Sequence, residues 1–352
     1  MAFNNQKSYH SISLQNQKLK SLNFGKPTWK LIFMEKSEIN KLISGKAVLI
    51  TGGTGSFGKM MTKVLLDIEV KKIRLMSRHE DLQVKMKREF DHEKIEFFIG
   101  DIRDYERCLE VTRNVDIVFH AAALKQIAEI EKHPMEAIKT NILGTWNVKR
   151  TAIENNVECV IGISTDKAVK PINVYGMTKA LDERILLNDE VDSNTKFSVV
   201  RYGNVVGSRG SVIPYWFELA KAGNDLPLTH KKMTRFWITL REAVELVFFS
   251  LKNPGKIIVR NCKALPLIDL AQLYKEKFNV NIKIVGIRPG EKIHECLLSD
   301  YEMRKAVLKD EFYVVDMHGK DTREDTSDFT SDTVEKVTSE EMKSLLEKQG
   351  FL

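Results

Sequence analysis

The segment Thr51-Gly-Gly-Thr-Gly-Ser-Phe-Gly58 follows the apolar run Ala47-Val-Leu-Ile50 and precedes a stretch with the hydrophobic period of an amphipathic helix. Glycines in such a turn let backbone N–H groups and the first turn of a helix approach a pyrophosphate closely. A second apolar run, Lys72-Ile-Arg-Leu-Met76, comes next. The order of strand, glycine-rich turn, helix and strand therefore predicts a dinucleotide site. We expect this site to include Gly52, Thr54, Gly55, Ser56, Phe57 and Gly58.

Short apolar runs separated by helix-length segments continue along the chain, at Ile95–Ile99, Asp116–Phe119, Cys159–Ile163 and Phe197–Arg201. Strands that are apolar almost throughout are typical of a parallel sheet covered on both faces. The predicted fold class is therefore α/β, a doubly wound parallel sheet of the Rossmann type. Mixed short elements after residue 205 predict a smaller α/β region on its C-terminal side.

Composition divides the chain into four parts. Residues 1–44 are rich in Asn, Gln, Ser and Lys and predict a flexible N-terminal extension. Residues 45–204 form the predicted dinucleotide-binding domain, and residues 205–317 mainly bind the substrate. Residues 318–352 are predicted to be a polar linker followed by a terminal helix.

The formal charge of +7 is concentrated near the N-terminus, because residues 1–45 carry seven lysines and only two acidic residues. The rest of the chain has no basic cluster interleaved with aromatic residues, which argues against nucleic acid as a partner. The four cysteines lack CxxC spacing and a histidine at metal-ligand spacing, so we expect reduced thiols and no metal. No apolar run approaches the length of a membrane span. We therefore expect a soluble, cytoplasmic protein without a membrane partner.

Residues at the ends of three predicted strands indicate which dinucleotide is bound. Ser77 and Arg78 stand where an NAD enzyme would place an acid for the ribose hydroxyls, and a hydroxyl with a guanidinium suits a 2′-phosphate. NADP is therefore predicted, although the nearby Glu80 and Asp81 leave NAD open and a solvated Arg78 is the alternative. Further expected contacts of the dinucleotide are Asp101, Ile102, Ala121, Ala122 and Ala123. Lys125 can reach an anionic ligand.

A carboxylic acid, two amines and a phenol lie within sixteen residues, in Ser164-Thr165-Asp166-Lys167 and Tyr175-Gly-Met-Thr-Lys179. If the second segment is helical, Tyr175 and Lys179 project from one face about 6 Å apart along the axis. The ammonium can then lower the pKa of the phenol from about 10 and make it a usable base. Taken singly, Asp166 could instead be a helix cap, Lys167 a solvated amine and Tyr175 a phenol at the core edge.

Several longer motifs resemble the inverting UDP-N-acetylglucosamine 4,6-dehydratases of the extended short-chain dehydrogenase/reductase superfamily. Besides the glycine-rich turn, Tyr175 and Lys179, the resemblance is carried by Phe119-His-Ala-Ala-Ala-Leu-Lys125, Ser164–Lys167, Arg201-Tyr-Gly-Asn-Val-Val-Gly-Ser-Arg209, Met233-Thr-Arg-Phe-Trp237 and Arg288-Pro-Gly-Glu-Lys292. It covers roughly residues 45–315. Retaining dehydratases carry Asp-Glu in place of Asp166-Lys167, simple 4-epimerases carry neither residue, and other groups with Asp-Lys tend to have Met in place of Tyr175.

The resemblance implies a reaction on UDP-N-acetylglucosamine that gives UDP-2-acetamido-2,6-dideoxy-β-L-arabino-hexos-4-ulose. It implies that Tyr175, with its pKa lowered by Lys179, takes the proton of the 4-hydroxyl. Lys167 would remove the proton at carbon 5 if its own pKa is depressed, and a protonated Asp166 would release the 6-hydroxyl as water. Thr165 is assigned to the same catalytic group.

The resemblance also implies the binding residues and the assembly. Val205, with Tyr175 and Lys179, is expected at the NADP. Residues expected at the substrate are Lys125, Asn204, Arg209, Arg235, Arg288 and Glu291, with a salt bridge at the surface or between elements as the alternative for the arginines. A homo-oligomer, dimer or hexamer, is implied. The alternatives are a UDP-sugar 4-epimerase, a retaining dehydratase, and a non-catalytic dinucleotide sensor.

Overall fold

The computed structural model describes residues 34–188 and 193–352. Its helices are α1 (Lys36–Ile43), α2 (Ser56–Leu66), α3 (Glu80–Phe90), α4 (Tyr105–Thr112), α5 (Ile127–Lys132), α6 (Pro134–Ala137), α7 (Gly144–Glu154), α8 (Val174–Leu187), α9 (Val212–Lys221), α10 (Leu240–Ser250), α11 (Leu267–Phe278), α12 (Asp300–Arg304) and α13 (Ser339–Lys348). Its strands are β1 (Ala47–Thr51), β2 (Lys72–Ser77), β3 (Ile95–Ile99), β4 (Ile117–His120), β5 (Cys159–Thr165), β6 (Lys196–Tyr202), β7 (Asn204–Val205), β8 (Leu226–Leu228), β9 (Thr234–Ile238), β10 (Ile257–Arg260), β11 (Ala264–Pro266), β12 (Ile282–Ile284), β13 (Cys296–Leu298), β14 (Ala306–Lys309), β15 (Phe312–Val315) and β16 (Phe329–Thr330). A π-helical segment, Ile138–Leu143, separates α6 from α7, and a 3₁₀ turn, Asp166–Ala168, follows β5.

Within this part of the chain, nine strands form one sheet in the order β14-β15-β10-β6-β5-β4-β1-β2-β3. The strands from β10 to β3 run parallel, whereas β15 is antiparallel to β10 and β14 to β15. Because β1 pairs with β2 on one side and with β4 on the other, the strand order reverses between β1 and β4. Ligands of such sheets bind outside the carboxyl ends of the strands at this reversal. The predicted doubly wound α/β fold is confirmed.

The central strands are buried on both faces because helices cover both sides of the sheet. All residues of β1 and β4 are buried. Val48 and Ile50 of β1 pack with α2 and α10 in one apolar cluster, whereas Leu49 packs with α4 and α7 in another. Successive side chains of a strand point to opposite faces, so one apolar strand serves both layers. For this reason, apolar and polar residues do not alternate along these strands.

A smaller region follows β6 and packs around a third apolar cluster that includes Trp216 and Tyr274. It contains the sheet β11-β9-β7 and the strand pairs β12-β8 and β13-β16. The chain also returns to the large sheet after residue 204, at β10 and again at β14 and β15. The predicted domain boundaries stay a prediction, and the large sheet draws strands from both sides of the predicted boundary at residue 204.

The last part of the predicted N-terminal extension is a helix. Ile39 and Ile43 of α1 are fully buried in the same apolar cluster as β1. The prediction of a flexible segment is therefore wrong for Lys36–Ile43, because two isoleucines four positions apart supply an apolar face within a polar composition. Residues 1–33 of that prediction lie outside the described residues. No helix within residues 34–188 and 193–352 is long and apolar enough to cross a membrane.

Candidate active site

A cleft of about 460 Å³ opens where the strands from β3 to β6 end, at the reversal of strand order. Most of the residues predicted for a site line this cleft. They are Gly52, Thr54, Gly55, Ser56, Phe57, Gly58, Ser77, Arg78, Asp101, Ile102, Ala121, Ala122, Ala123, Lys125, Thr165, Lys167, Tyr175, Asn204, Val205 and Arg209. Asp166, Lys179, Arg235, Arg288 and Glu291 are not among the lining residues. The topology thus brings together segments that are far apart in the sequence.

The glycine-rich turn brings the backbone close to the cleft. Gly52 has a φ of +68°, and a Cβ built there would lie 2.9 Å from the backbone nitrogen of Ala122. A Cβ on Gly58 would lie 2.7 Å from the Cα of Gly53, so α2 is pressed against the turn that precedes it. The N-terminus of α2 at Ser56 therefore faces the cleft with free backbone N–H groups, which favour a bound phosphate.

One end of the cleft carries an arginine-rich cluster around Asp101. The carboxylate lies 2.7 Å from the Arg103 guanidinium and 3.6 Å from that of Arg78. Burial alone would raise the pKa of Asp101, but the hydrogen bonds and charge of Arg103 outweigh it and hold the pKa below its ordinary value. Ser77 is largely buried, and its hydroxyl accepts a hydrogen bond from the Gln83 amide. Arg78 lines the cleft beside them.

The floor of the cleft is held by a buried histidine and an asparagine. His120 of β4 hydrogen-bonds to Thr51 at 2.7 Å and to Thr145 at 3.0 Å. Asn141, in the π-helical segment, accepts from the Leu124 backbone N–H at 2.8 Å and donates to its carbonyl at 3.0 Å. These bonds fix the loop after β4, which lines the cleft. Burial, and then the Lys179 ammonium, lower the pKa of His120 to about 3.

The phenol and amines come together as the spacing predicts. Asn173 caps α8 by accepting from the Gly176 backbone N–H, which places Tyr175 in the first turn and Lys179 one turn later. Lys179 is buried and forms an ion pair with Asp182. Burial raises the pKa of Tyr175, and the ammonium groups of Lys179 and Lys167 offset only part of this rise. The predicted lowering of the pKa below its ordinary value is wrong, because desolvation is the larger effect.

Asp166 lies directly beneath the cleft surface. Its Oδ1 accepts from Thr165 Oγ1 at 2.8 Å and from Lys167 Nζ at 2.9 Å, and both donors line the cleft. Its Oδ2 is buried without a hydrogen-bond partner among the described residues. A Cβ on Gly203, another lining residue, would lie 3.2 Å from this oxygen, so the missing side chain leaves Oδ2 next to the cleft.

Lys167 also contacts a residue that the sequence analysis missed. Its Nζ lies 3.3 Å from Oε1 of Glu295, whose side chain is only 3% exposed. The motif that carries the family resemblance ends at Lys292, three residues before Glu295. A glutamate directly before the apolar run Cys296–Leu298 is nevertheless a signal that could have indicated a buried charge. Tyr202 and Thr140 were also missed, and both line the cleft.

The pKa shift in this cluster has the expected direction for Asp166 but not for Lys167. Burial raises the pKa of Asp166, which favours its protonated form. Burial alone would lower the pKa of Lys167, but the negative charges of Asp166 and Glu295 outweigh this and raise it. The expected depression of the Lys167 pKa is therefore wrong for the protein without ligands. Glu295 keeps a lowered pKa because Lys167, Arg235 and Lys292 outweigh its burial.

The candidates for substrate binding fall into two groups. Lys125 Nζ donates to the Arg209 carbonyl at 3.2 Å, and both residues line the cleft with Asn204. Arg235 is buried away from it and donates to the carbonyls of Thr234, Ile293 and Lys292. Arg288 pairs with Glu291 at 2.9 Å, and its side chain is 68% exposed. The alternative of a salt bridge thus describes Arg235, Arg288 and Glu291 in this state.

Comparisons with known proteins agree with this geometry. The model of the family described as "Polysaccharide biosynthesis protein" matches residues 48–317. The chain belongs to this family. A curated relative from Campylobacter jejuni, named UDP-N-acetylglucosamine 4,6-dehydratase (inverting), is 43% identical over 78% of this chain and 84% of its own. The family resemblance predicted from the motifs is confirmed.

Two further proteins that are similar to this chain bear on the alternative functions and on the fold. A protein of Rickettsia bellii named UDP-glucose 4-epimerase is 42% identical over 86% of this chain and 95% of its own. The X-ray structure of Pen from Bacillus thuringiensis has a TM-score of 0.83 at 34% identity and covers 88% of this chain and 99% of that one. The fold of this chain thus matches a solved structure, and the match covers nearly the whole length of Pen.

We expect acid to destabilise the protein through His120. The unfolded chain binds a proton there below about pH 6.5, whereas the folded protein does so only near pH 3, so stability is lost as the pH falls between these values. His120→Asn keeps a donor and an acceptor at this position. Between about pH 8 and about pH 5, its unfolding free energy should decrease by about 2 kcal/mol less than that of the wild type. Urea titrations at both pH values measure this decrease. The exposed His92→Asn is the control, and an equal decrease in both variants would contradict the prediction.

Proposed function

We propose that the protein is an NADP-dependent UDP-N-acetylglucosamine 4,6-dehydratase that inverts carbon 5. The observation that carries this proposal is the Asp166–Lys167 pair, with 2.9 Å between carboxylate and ammonium, at a cleft that Tyr175 also lines. Binding a dinucleotide alone requires none of these groups. The proposed product is UDP-2-acetamido-2,6-dideoxy-β-L-arabino-hexos-4-ulose. The curated dehydratase relative supports the same substrate and stereochemistry.

The residues present fit a dinucleotide. Gly52 and Gly58 leave no room for side chains between the turn, α2 and the loop after β4, so at these two positions only backbone borders the cleft. That backbone and the N-terminus of α2 would hold the pyrophosphate, and Asp101 and Ile102 would border the adenosine. When bound, the nicotinamide would accept a hydride from carbon 4 of the sugar and return it to carbon 6.

Tyr175 is the proposed base at the 4-hydroxyl. Its pKa is raised by burial in the protein without ligands, and the Lys179 ammonium opposes that rise. Lys179 is held in place by the buried Asp182. The positive charge of an oxidised nicotinamide would act in the same direction as Lys179 and favour the phenolate. Thr165, whose hydroxyl donates to Asp166, completes the group.

One proton is shared between Lys167 and Asp166. While this proton is on Lys167, the lysine cannot accept the proton at carbon 5, and Asp166 has no proton to give to the 6-hydroxyl. Transfer across the 2.9 Å hydrogen bond makes Lys167 a neutral amine and Asp166 a carboxylic acid. Lys167 then takes the proton at carbon 5, and Asp166 gives its proton to the 6-hydroxyl, which leaves as water. A proton from the solvent then adds to carbon 5 from the opposite face and inverts that centre.

Cleft-lining groups support the choice of cofactor and substrate. Arg78 borders the cleft near Ser77 and fits a 2′-phosphate, which is the basis for proposing NADP rather than NAD. Lys125, Arg209 and Asn204 are proposed for the UDP-sugar, because two cationic side chains suit a diphosphate. Arg235, Arg288 and Glu291 stay proposals that need a rearrangement. Val205 is proposed at the nicotinamide end.

A homo-oligomer, dimer or hexamer, is also proposed. Met177 and Leu181 lie four residues apart on α8 with side chains 53% and 47% exposed, which is typical of a surface that binds another chain. The four cysteines are free, consistent with the proposed cytoplasmic location.

Incubation with UDP-N-acetylglucosamine and NADP in deuterated water tests the reaction. We expect NMR to show a 4-keto-6-deoxy sugar with deuterium and inverted configuration at carbon 5. Lys167→Ala should reduce the rate by about 100-fold or more, because the carbon-5 base is lost. The exposed Lys85→Ala is the matched control.

Each other outcome favours another function. A product with only its 4-hydroxyl inverted would replace the proposal with epimerisation, which the Rickettsia bellii relative's name makes the second candidate. Deuterium at carbon 5 with the original configuration would indicate a retaining dehydratase. Tight NADP binding without turnover of any UDP-sugar would favour the sensor.

Arg78→Ala tests the cofactor preference. We expect the Kd of NADPH to rise about tenfold or more, since a guanidinium–phosphate pair is lost, whereas that of NADH should stay within about twofold. Fluorescence titration of the reduced dinucleotides measures both constants. Lys85→Ala again serves as the control, and equal effects on the two dinucleotides would refute a role of Arg78 at the 2′-phosphate.

Leu181→Glu tests the oligomer. A charge on this surface should lower the mass measured by light scattering to that of a smaller assembly, because burying an unpaired carboxylate is unfavourable. Val84→Glu, which changes an exposed valine on α3, is the control. An unchanged mass for Leu181→Glu would place the interface elsewhere.

A further inference from the structure

Glu295 is a buried carboxylate in the same cluster as the proposed acid and base. Its Oε1 lies 3.3 Å from Lys167 Nζ and 3.7 Å from Arg235 Nε. Its Oε2 lies 3.9 Å from Lys292 Nζ and has no hydrogen-bond partner among the described residues. A buried carboxylate of this kind is costly unless nearby cations stabilise it. Glu295 does not line the cleft and therefore acts through its neighbours.

The backbone fixes the position of Glu295. Its N–H donates to Ser331 Oγ at 2.9 Å, and its carbonyl accepts from the Ser331 N–H at 2.8 Å. Ser331 follows β16, which pairs with β13 immediately after Glu295. The Ser331 hydroxyl also lies 2.7 Å from Thr234 Oγ1, next to Arg235. The backbone of Glu295 is thus held by Ser331, which Thr234 contacts in turn.

Charged and titratable groups face this cluster from every neighbouring element. They are Arg235 on β9, Lys292 before β13, Tyr175 and Lys179 on α8, Lys125 after β4, and Cys262 after β10. Asp166 and Glu295 are the two carboxylates with the largest effect on the Lys167 pKa among the described residues. Its negative charge therefore stabilises the Lys167 ammonium and repels an ionised Asp166.

We propose that Glu295 is a positioning residue that holds Lys167 beside Asp166 and keeps one proton on that pair. The inference rests on the proposed dehydration, because that reaction requires Asp166 and Lys167 in complementary protonation states. Glu295 opposes the loss of the shared proton from either side chain. With Glu295 in place, the pair keeps its proton at a pH where an isolated buried pair would lose it.

The direction of the effect follows from charge alone. The carboxylate of Glu295 raises the pKa of both Asp166 and Lys167. Removing its charge should therefore lower both values, and both limbs of a bell-shaped pH profile should move to lower pH. A residue with a purely structural role would change stability or rate without moving the limbs.

Glu295→Gln, which keeps the shape and removes the charge, tests the inference. We expect the whole pH profile of kcat for UDP-N-acetylglucosamine dehydration to move to lower pH. At the wild-type optimum, kcat should fall by about tenfold or more while KM changes less than about threefold. In a single turnover, absorbance of reduced nicotinamide should accumulate, because oxidation at carbon 4 depends on Tyr175 and elimination on the altered pair.

Glu295→Asp keeps the charge and should leave both limbs where the wild type has them. If Glu295→Gln does not fold, Arg235→Gln gives a test of opposite sign. Loss of its positive charge should raise the pKa of Lys167 and move the high-pH limb to higher pH. If the charge variant folds and the limbs of its pH profile do not move, the proposed role of Glu295 is overturned, whereas the proposed function is not. A wild-type protein that does not dehydrate the sugar would overturn the proposed function as well.

Discussion

The close approach of α2 to the turn before it is the constraint on which the rest of the site depends. A side chain at Gly58 would collide with the backbone of Gly53, and one at Gly52 would collide with the loop after β4. Without these side chains, β1, α2 and β4 meet at the reversal of strand order. The parallel sheet then brings the ends of β5 and β6 to the same edge. Residues more than a hundred positions apart become neighbours for this reason.

Burial governs the chemistry of the second half of the cleft. Desolvation raises the pKa of Tyr175 and of Asp166, so each acid keeps its proton more firmly than in water. Burial alone would lower the pKa of Lys167, but the two carboxylates that lie against it raise this pKa. In the proposed mechanism, one proton is therefore held by the Asp166–Lys167 pair, and the pKa of the lysine is not depressed. A shared proton supplies a base and an acid in one transfer, which a separate neutral lysine does not.

Whether a contact can be predicted from the sequence depends on whether its residues are close together along the chain. The turn Thr51–Gly58 and the spacing of Tyr175 and Lys179 predict their geometry, because neighbours along a helix or turn determine it. The partners of Lys167 and Arg235 could not be predicted in this way. Glu295 reaches Lys167 from a segment more than a hundred residues later, and its charge adds to that of Asp166 in raising the lysine pKa, against the expected direction. Similarly, the apolar face of α1 is hidden in a polar composition and becomes visible only once a sheet is present to bury it.

The distribution of charge between wall and floor also explains how an anionic substrate would fit. Lys125 and Arg209 line the wall, and the pKa of Lys125 is lowered by burial first and then by the positive charges of Arg209 and Lys167. A diphosphate at this wall would relieve that repulsion. The carboxylates of Asp166 and Glu295 lie below, where the Lys167 ammonium offsets part of their negative charge. Separating cations on the wall from acids beneath it lets one small site bind a negatively charged ligand and still hold an acid ready to donate a proton.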